Sequence, residues 1–180
     1  IYTLSLHDAL PISSWGLLNK LQKAMEGKVT VKQEEFFLES QQGKLEFTLL
    51  AEGLRKLGLL WTLIQNGTLL NGSALFWDEP EANLNPKLMR PIIDILLELQ
   101  RTGVQIFLAT HDYVLLKELD LQVKNDDKVL FHSLYRSRDT GEIEVASTDD
   151  YVRLSPSAID DTFGSLVTRE IQKDMKDGKA

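Results

Sequence analysis

Residues 74–86 read ALFWDEPEANLNP, and residues 104–112 read VQIFLATHD. Each segment opens with a continuous apolar run, which is typical of a strand buried on both faces of a sheet. Between the two runs, Asn85 is a favourable N-cap and Pro86 a favourable first helical residue, so a helix is predicted there, ended by Gly103. A strand, a helix and a second strand in this order form a βαβ unit, whose crossover makes the two strands parallel.

Both runs end in polar residues that parallel pairing would bring to one edge of the sheet. The first ends in Asp78 and Glu79, and the second in Thr110 and His111. Neighbouring strands lie about 4.8 Å apart, and α/β folds bind ligands at the carboxyl ends of their strands. Here Asp78 would hold Mg²⁺ through its water shell, Glu79 would orient an attacking water, and His111 would donate a hydrogen bond to a γ-phosphate. The alternative, two ordinary carboxylates at a solvated strand end, is less favoured because the Thr-His exit ends the second run.

Residues 74–86, together with residues 107–112, resemble the Walker B, D-loop and H-loop series of ABC-class ATPases. The resemblance is to the soluble AAA-type, RecF-like and overcoming-lysogenisation-defect (OLD) ATPases, not to membrane transporters. Upstream, residues 50–56 (LAEGLRK) occupy the place of the family's signature motif. The resemblance covers most of the chain from Ser13 to about Leu121. It implies an α/β fold with a P-loop NTPase-like parallel sheet flanked by helices, incomplete because the N-terminal phosphate-loop portion is missing.

The resemblance also implies a role for each matching residue. Asp78 would be the Mg²⁺-associated Walker B acid, Glu79 the catalytic base and His111 the γ-phosphate switch. The family's D-loop, which faces a second subunit, would be formed by Asn83, Leu84 and Asn85. The cofactors would be ATP and Mg²⁺, and the intact protein would be an ATPase that hydrolyses ATP as a head-to-tail homodimer.

The match at the signature position is weaker. The family often has Ser where Ala51 stands, and Asp where Asn85 stands. What remains is backbone, because the N–H groups around Glu52 and Gly53 open a predicted helix whose N-terminus suits an anion. The alternative that residues 51–56 are simply the start of a helix stays open. The candidates for nucleotide contact are therefore Ala51, Glu52, Gly53, Asn83 and Asn85.

The remaining elements are predicted from the spacing of apolar residues and from turn residues. Upstream of the βαβ unit, the pattern predicts a helix over 15–25, a β-hairpin from strands 29–38 and 45–50, and a helix over 51–66. Within the unit it predicts a helix over 86–102 and a strand over 104–110. Downstream it predicts a helix over 112–121, a hairpin from strands 129–135 and 142–147, and a helix that begins at Ser155-Pro156 and runs to about residue 175.

The first twelve residues, IYTLSLHDALPI, begin without methionine and share no periodicity with the rest of the chain. Back-translated, they match an in-frame reading of a common short-read sequencing adapter, which favours an artefact over a divergent natural strand because twelve consecutive codons agree. Residues 13–180 are then predicted to be the C-terminal part of a single ABC-type ATPase domain.

The sequence contains no Gly-x-x-x-x-Gly-Lys-Ser/Thr segment, the phosphate loop that cradles the α- and β-phosphates of a nucleotide. In the family, the strand that carries this loop lies between the strands matching 104–110 and 129–135. We therefore expect this chain alone to be inactive, with hydrophobic strand edges left unpaired where that strand would lie.

Composition excludes several classes of protein. The 180 residues contain no cysteine, carry a net charge of −7 and are 43% apolar, as in an ordinary globular domain. A disulfide scaffold is excluded, no apolar run is long enough for a membrane span, and the cytoplasm is the expected compartment. The acidic balance argues against a surface that tracks nucleic-acid phosphates along its whole extent, but DNA or a partner effector protein is kept as a further ligand.

Two other functions are kept beside ATP hydrolysis. One is a nucleotide-independent interaction or regulatory module that retains Asp-Glu-Pro by descent. The other is a Mg²⁺-dependent, nuclease-associated ATPase of the OLD type, with Asp78, Glu79 and Glu81 as a two-metal site. Trp61 and Trp77 are interpreted as core aromatics, and His132 as a packed or edge histidine. Glu81 is interpreted as a solvated carboxylate, with support of the loop as the alternative. The basic residues Arg55, Lys56, Arg136 and Arg138 are interpreted as charges that solvate a face, with a basic strip as the alternative.

Overall fold

The computed structural model describes residues 12–32 and 35–177, which form both helices and strands. The helices are α1 (Ile12–Ala24), α2 (Glu52–Gln65), α3 (Met89–Arg101), α4 (Tyr113–Gln122) and α5 (Ala158–Lys176). The strands are β1 (Lys28–Lys32), β2 (Glu35–Ser40), β3 (Gly43–Glu46), β4 (Ala74–Asp78), β5 (Gln105–Ala109), β6 (Phe131–Arg136) and β7 (Ile143–Thr148). Of the predicted artefact over 1–12, residues 1–11 lie outside the described residues, and Ile12 is the first residue of α1.

Contacts divide the chain into two units. The first holds the described residues up to Thr110 together with Val114–Asp127, and the second holds His111–Tyr113 together with the described residues from Lys128 onward.

The predicted βαβ unit is confirmed. β4 and β5 pair in parallel, with Asp78 opposite Ala109. The side chain of Asn85 accepts a hydrogen bond from the backbone N–H of Lys87 at 3.0 Å, and a 3-10 turn then leads into α3. Gly103 lies just after the helix at φ +95°, a conformation in which glycine has no steric penalty.

The expectation that β4 is buried on both faces is wrong for this chain. Phe76 is 75% exposed and Phe107 is 44% exposed, and their rings stack on each other with centroids 4.6 Å apart. Trp77, on the opposite face of β4, is half-buried. The continuous apolar run predicts a sheet covered on both sides, but no element that the structure describes covers the face bearing the two phenylalanines.

The core of the first unit is formed where α1 packs against α2 and α3. Apolar residues recur along these helices at the predicted spacing, and Trp61 is buried as expected. The fully buried aliphatic residues at this contact include Leu18, Leu21, Leu57, Ile64, Ile92, Ile93 and Leu99.

The predicted N-terminal hairpin is only partly right. The run over 29–38 is not one strand, because β1 and β2 are separate strands that pair with each other antiparallel. Residues 33–34 lie outside the described residues. The turn between β2 and β3 is confirmed, but the strand predicted over 45–50 ends at Glu46. A 3-10 turn over Phe47–Leu49 comes next, and the Phe47 ring lies against Gly58 of α2 and near Phe36.

In the second unit, β6 and β7 form the predicted antiparallel hairpin. His132 is exposed, and its Nδ1 lies 2.7 Å from the hydroxyl of Ser147 opposite it. The last helix begins later than predicted, since Ser157 rather than Ser155 is its N-cap and accepts from the backbone N–H of Asp160. No helix in the described part of the chain is both long enough and apolar enough to span a bilayer.

A bidentate ion pair ties the end of α3 to the segment after α4. The guanidinium of Arg101 donates from Nε and Nη2 to the two carboxylate oxygens of Asp127, each at 2.7 Å. The Asp127 side chain is 1% exposed and also accepts from the backbone N–H of Lys124 at 2.8 Å. The hydrogen bonds from Arg101 hold the pKa of Asp127 below its usual value of 3.8, with burial acting in the opposite direction.

Because the pKa of Asp127 is lower in the folded state, the ion pair stabilises the protein above the unfolded-state pKa, and this stabilisation is lost as the pH falls through the folded-state pKa. We expect Asp127→Asn to lower the free energy of unfolding by about 1.5–3 kcal/mol near neutral pH, the range for hydrogen bonds to charged groups. Urea unfolding, measured near neutral pH and again below the usual carboxyl pKa, tests this. The exposed neighbour Asp126, changed to Asn, is the control. An Asp127→Asn deficit that stays the same in acid would contradict the assignment.

Candidate functional site

Asp78 and Glu79 lie where β4 ends, next to the end of β5. Asp78 is opposite Ala109, and the backbone N–H of Glu79 donates to the carbonyl of Ala109 at 2.8 Å. Both carboxylate residues are exposed. Parallel pairing therefore places two consecutive carboxylates at the carboxyl-terminal edge of the sheet, as the sequence predicts.

The loop after β4 has an uncommon backbone. Glu79 has φ +45° and Asn83 has φ +62°, in the left-handed region that non-glycine residues rarely occupy. Asparagine tolerates this conformation better than glutamate does. The carbonyl of Glu79 accepts from the N–H of Ala82 at 3.1 Å, which closes a turn within the loop. A conformation of this kind persists only where surrounding contacts fix it.

One of those contacts comes from Lys56 on α2. Its Nζ donates to the carbonyl oxygen of Glu79 at 2.9 Å and to that of Ala82 at 3.1 Å. The interpretation of Lys56 as a solvated charge is therefore wrong. Its hydrogen-bond acceptors are main-chain carbonyls, which every residue carries, so no sequence pattern predicts this contact.

The start of α2 also lies directly against the loop. The side-chain amide of Asn83 donates to the carboxylate of Glu52 at 2.8 Å. A Cβ added at Gly53 would stand 2.3 Å from the carbonyl oxygen of Asn83 and 2.7 Å from Leu84, so only glycine permits this approach. The structure thus brings together candidates that are about thirty residues apart in the sequence.

The other predicted nucleotide contacts lie at the ends of helices. Ala51 is the exposed N-cap of α2 and makes no side-chain capping hydrogen bond. Asn85 is exposed, and its side chain caps the turn that precedes α3. His111, the predicted γ-phosphate switch, belongs to the second unit. Its role stays a prediction.

Glu81 supports the loop after β4, as the alternative interpretation had it, and is not a solvated carboxylate. Its Oε1 accepts a hydrogen bond from the hydroxyl of Thr110 at 2.6 Å, which links the loop after β4 to the residue after β5. Its Oε2 is buried and has no hydrogen-bond partner within the described residues. Proximity of the two strand ends was predictable, but this pairing was not.

The residues at the strand end fit a magnesium ion bound together with phosphate. The carboxylate of Asp78 is exposed and accepts no hydrogen bond from the part of the chain that the structure describes. Mg²⁺ is commonly held by one or two carboxylates, with substrate phosphates and water as its remaining ligands. The described residues contain no group of three His, Asp or Glu arranged to hold a metal by themselves. Asp78 would therefore hold the ion with help from phosphate oxygens.

The family model described as "AAA domain, putative AbiEii toxin, Type IV TA system" matches residues 13–117, more than half of the chain. The chain belongs to this family. The matched range includes the start of α2, the whole βαβ unit and both strand ends. The ABC-class, AAA-type resemblance of residues 74–86 and 107–112 is thereby confirmed.

Proteins similar to this AAA domain include the cell division ATP-binding protein FtsE of Mycobacterium tuberculosis, which is 46% identical over 39 residues. That match covers 22% of this chain and only 17% of FtsE. Among solved structures, a chain from work on ATP-driven dimerization and DNA-stimulated activation of SMC ATPases is similar to this chain, with TM-score 0.53 and 13% identity. The match covers 89% of this chain and 93% of that one.

The Smc head domain of Pyrococcus furiosus, solved with an extended coiled coil and the C-terminal domain of ScpA, matches with TM-score 0.57 and 13% identity. The match covers 89% of this chain and 37% of that one. At this level of identity the likeness concerns the fold. The predicted α/β, P-loop NTPase-like architecture is confirmed.

Proposed function

We propose that the full-length protein containing this AAA domain binds and hydrolyses ATP with Mg²⁺. The observation that carries the proposal is the placement of Asp78 and Glu79 at the carboxyl-terminal end of β4, beside a parallel β5, in a chain of this family. Two adjacent carboxylates in an exposed position are poorly explained by packing, since they make no contribution to the core. They are well explained by a reaction that needs one metal ligand and one base.

The chemistry divides between the two carboxylates. Bound ATP with Mg²⁺ supplies a γ-phosphoryl group whose charge is partly neutralised. Asp78 would hold the metal from the strand end. Glu79, one residue further on, orients the attacking water and accepts its proton at the carboxylate. The role of His111, which belongs to the second unit, stays the prediction made from the sequence: a hydrogen bond to a γ-phosphate.

We propose a head-to-tail homodimer in which the start of α2 and the loop after β4 face the nucleotide of the second subunit. Ala51, Glu52, Asn83 and Asn85 are all exposed on the first unit. The hydrogen bond between Glu52 and Asn83 holds two of them together as one surface. The similarity to an SMC ATPase that undergoes ATP-driven dimerization supports this arrangement.

We propose that the phosphate cradle comes from a segment outside these 180 residues. No phosphate-loop sequence is present, and β4 and β5 form a sheet in which only these two strands pair within the described residues. An additional strand and its covering helices would shield Phe76 and Phe107, which together present a stacked aromatic surface to solvent. The present chain alone should then bind ATP weakly and leave it unhydrolysed.

Steady-state phosphate release from the full-length protein tests the proposal. We expect turnover that needs Mg²⁺, stops when the metal is chelated, and rises per protomer as protein concentration increases through dimer formation. The 180-residue chain assayed alone is expected to release no phosphate above background. Duplex DNA added to the same assay tests the predicted DNA partner. Full-length protein that binds no ATP would refute the proposal and favour the nucleotide-independent module.

A further inference from the structure

Lys56 reaches from α2 to two main-chain carbonyls of the loop after β4. We infer that Lys56 is a positioning residue, which sets the place of Glu79 and couples it to the start of α2. The inference rests on the proposed function, because it assigns Glu79 the part of the base. The positive charge of Lys56 then acts on the protein's own main chain and not on a ligand.

Both acceptors of Lys56 belong to one turn of the loop. Lys56 donates to the carbonyl of Glu79 itself at 2.9 Å and to the carbonyl of Ala82 at 3.1 Å. The N–H of Ala82 in turn donates to the carbonyl of Glu79 and closes the turn. One ammonium group therefore spans both ends of a turn that contains a left-handed glutamate. Hydrogen bonds from a charged donor are stronger than those from a neutral one.

Loss of the hydrogen bonds from Lys56 would release the loop after β4. Glu79 occupies a backbone conformation that glutamate rarely adopts. Once Lys56 no longer binds the carbonyls of Glu79 and Ala82, the loop can therefore adopt other conformations. The Glu79 carboxylate is attached to the same Cα as the carbonyl that Lys56 holds. A base that is displaced by about 1 Å can lose on the order of 10²-fold in rate.

Lys56 also couples the loop after β4 to the start of α2. Lys56 lies one helical turn after Glu52, which is proposed to face the second subunit's nucleotide. Residues four apart lie on the same face of a helix, so a shift of α2 that moves Glu52 also moves Lys56. A shift of α2 on nucleotide-driven dimer formation would therefore be transmitted by Lys56 to the carbonyl of Glu79.

The test compares Lys56→Met, Lys56→Arg and, as control, Lys23→Met in the full-length protein. Lys23 is an exposed lysine of α1 that makes no side-chain hydrogen bond within the described residues. We expect Lys56→Met to lower kcat by about 10- to 100-fold, with KM for ATP changed by less than about twofold, since the lost interaction acts on the base and not on nucleotide binding. Arginine, which also carries a positive charge and has several N–H donors for the two carbonyls, should restore kcat to within about fivefold.

Amide hydrogen exchange in the same proteins without nucleotide supplies a second readout. We expect faster exchange in the segment 79–85 for Lys56→Met, and unchanged exchange for Lys23→Met. If Lys56→Met keeps the wild-type kcat while Glu79→Gln has lost turnover, the positioning role is wrong and the proposed function stands. If exchange in 79–85 does not change, the contact does not hold the loop and the inference is overturned. If Glu79→Gln keeps wild-type turnover, the proposed function itself fails.

Discussion

Glu79→Gln in the full-length protein is expected to abolish ATP turnover while leaving ATP binding in place. Glutamine has nearly the shape of glutamate but cannot accept a proton from the attacking water. A general base of this kind contributes about 10²–10⁴-fold to the rate, so residual phosphate release should fall by at least about two orders of magnitude. Steady-state phosphate release and equilibrium binding of ATP, both in the presence of Mg²⁺, measure the two quantities separately.

Glu81→Gln is the matched control for this experiment. It makes the same chemical change two residues further along the loop, and the amide oxygen can still accept the hydrogen bond that Glu81 receives from Thr110. We expect it to keep turnover within about tenfold, the scale of one ordinary hydrogen bond of about 1.4 kcal/mol. Equal losses in the two variants would mean that carboxylates in this loop are needed for its structure. Unchanged turnover in Glu79→Gln would refute the assignment of Glu79 as the base.

The parallel βαβ unit could be predicted from the sequence because its signals are local and agree with each other. Asn85 and Pro86 mark the start of the helix region, and Gly103 marks its end at positive φ. The burial of β4 could not be predicted in the same way. A continuous apolar run predicts a sheet covered on both faces, whereas no element formed by the described residues covers the face that bears Phe76.

The strand over 29–38 illustrates a different difficulty. Its apolar residues alternate well enough to be taken as one strand, yet β1 and β2 are two strands paired antiparallel, with Lys32 opposite Glu35. The polar residues at the centre of the run are compatible with both the solvated face of a long strand and a reversal. The pairing of β1 with β2 depends on tertiary contacts, and the alternation of side chains along the sequence does not specify it.

Of the candidate site, the residue types at strand ends were predictable, and the contacts among them were not. Asp78 and Glu79 stand out because two carboxylates come directly after an apolar run. Lys56 binds main-chain carbonyls, and Glu81 pairs with Thr110 across the two strand ends. Neither contact has a fixed sequence spacing, because each depends on how α2 and β5 approach one loop. Such contacts arise from packing and become visible only in three dimensions.

Gly53→Ala is expected to destabilise the protein, although alanine is ordinarily the better helix former. In a helix interior, glycine to alanine normally stabilises by roughly 0.5–1 kcal/mol. At Gly53 the added Cβ would stand 2.3 Å from the carbonyl oxygen of Asn83 and 3.0 Å from its carbonyl carbon. Because these atoms are backbone, relief requires α2 and the loop to move apart. We expect a net loss of about 1–3 kcal/mol, the range for overpacking a close contact, measured as the change in urea unfolding of the full-length protein.

Gly16→Ala provides the control, because Gly16 lies within α1 and a Cβ added there would meet nothing within 4 Å. It should stabilise, so that the same substitution has opposite signs at two helical glycines of one unit. Gly53→Ala should also reduce ATP turnover, because separation of α2 from the loop breaks the hydrogen bond between Glu52 and Asn83 and draws Lys56 away from Glu79. If Gly53→Ala stabilises the protein as Gly16→Ala does, the close approach of α2 to the loop is not maintained in solution, and the surface proposed to meet the second subunit is not preformed.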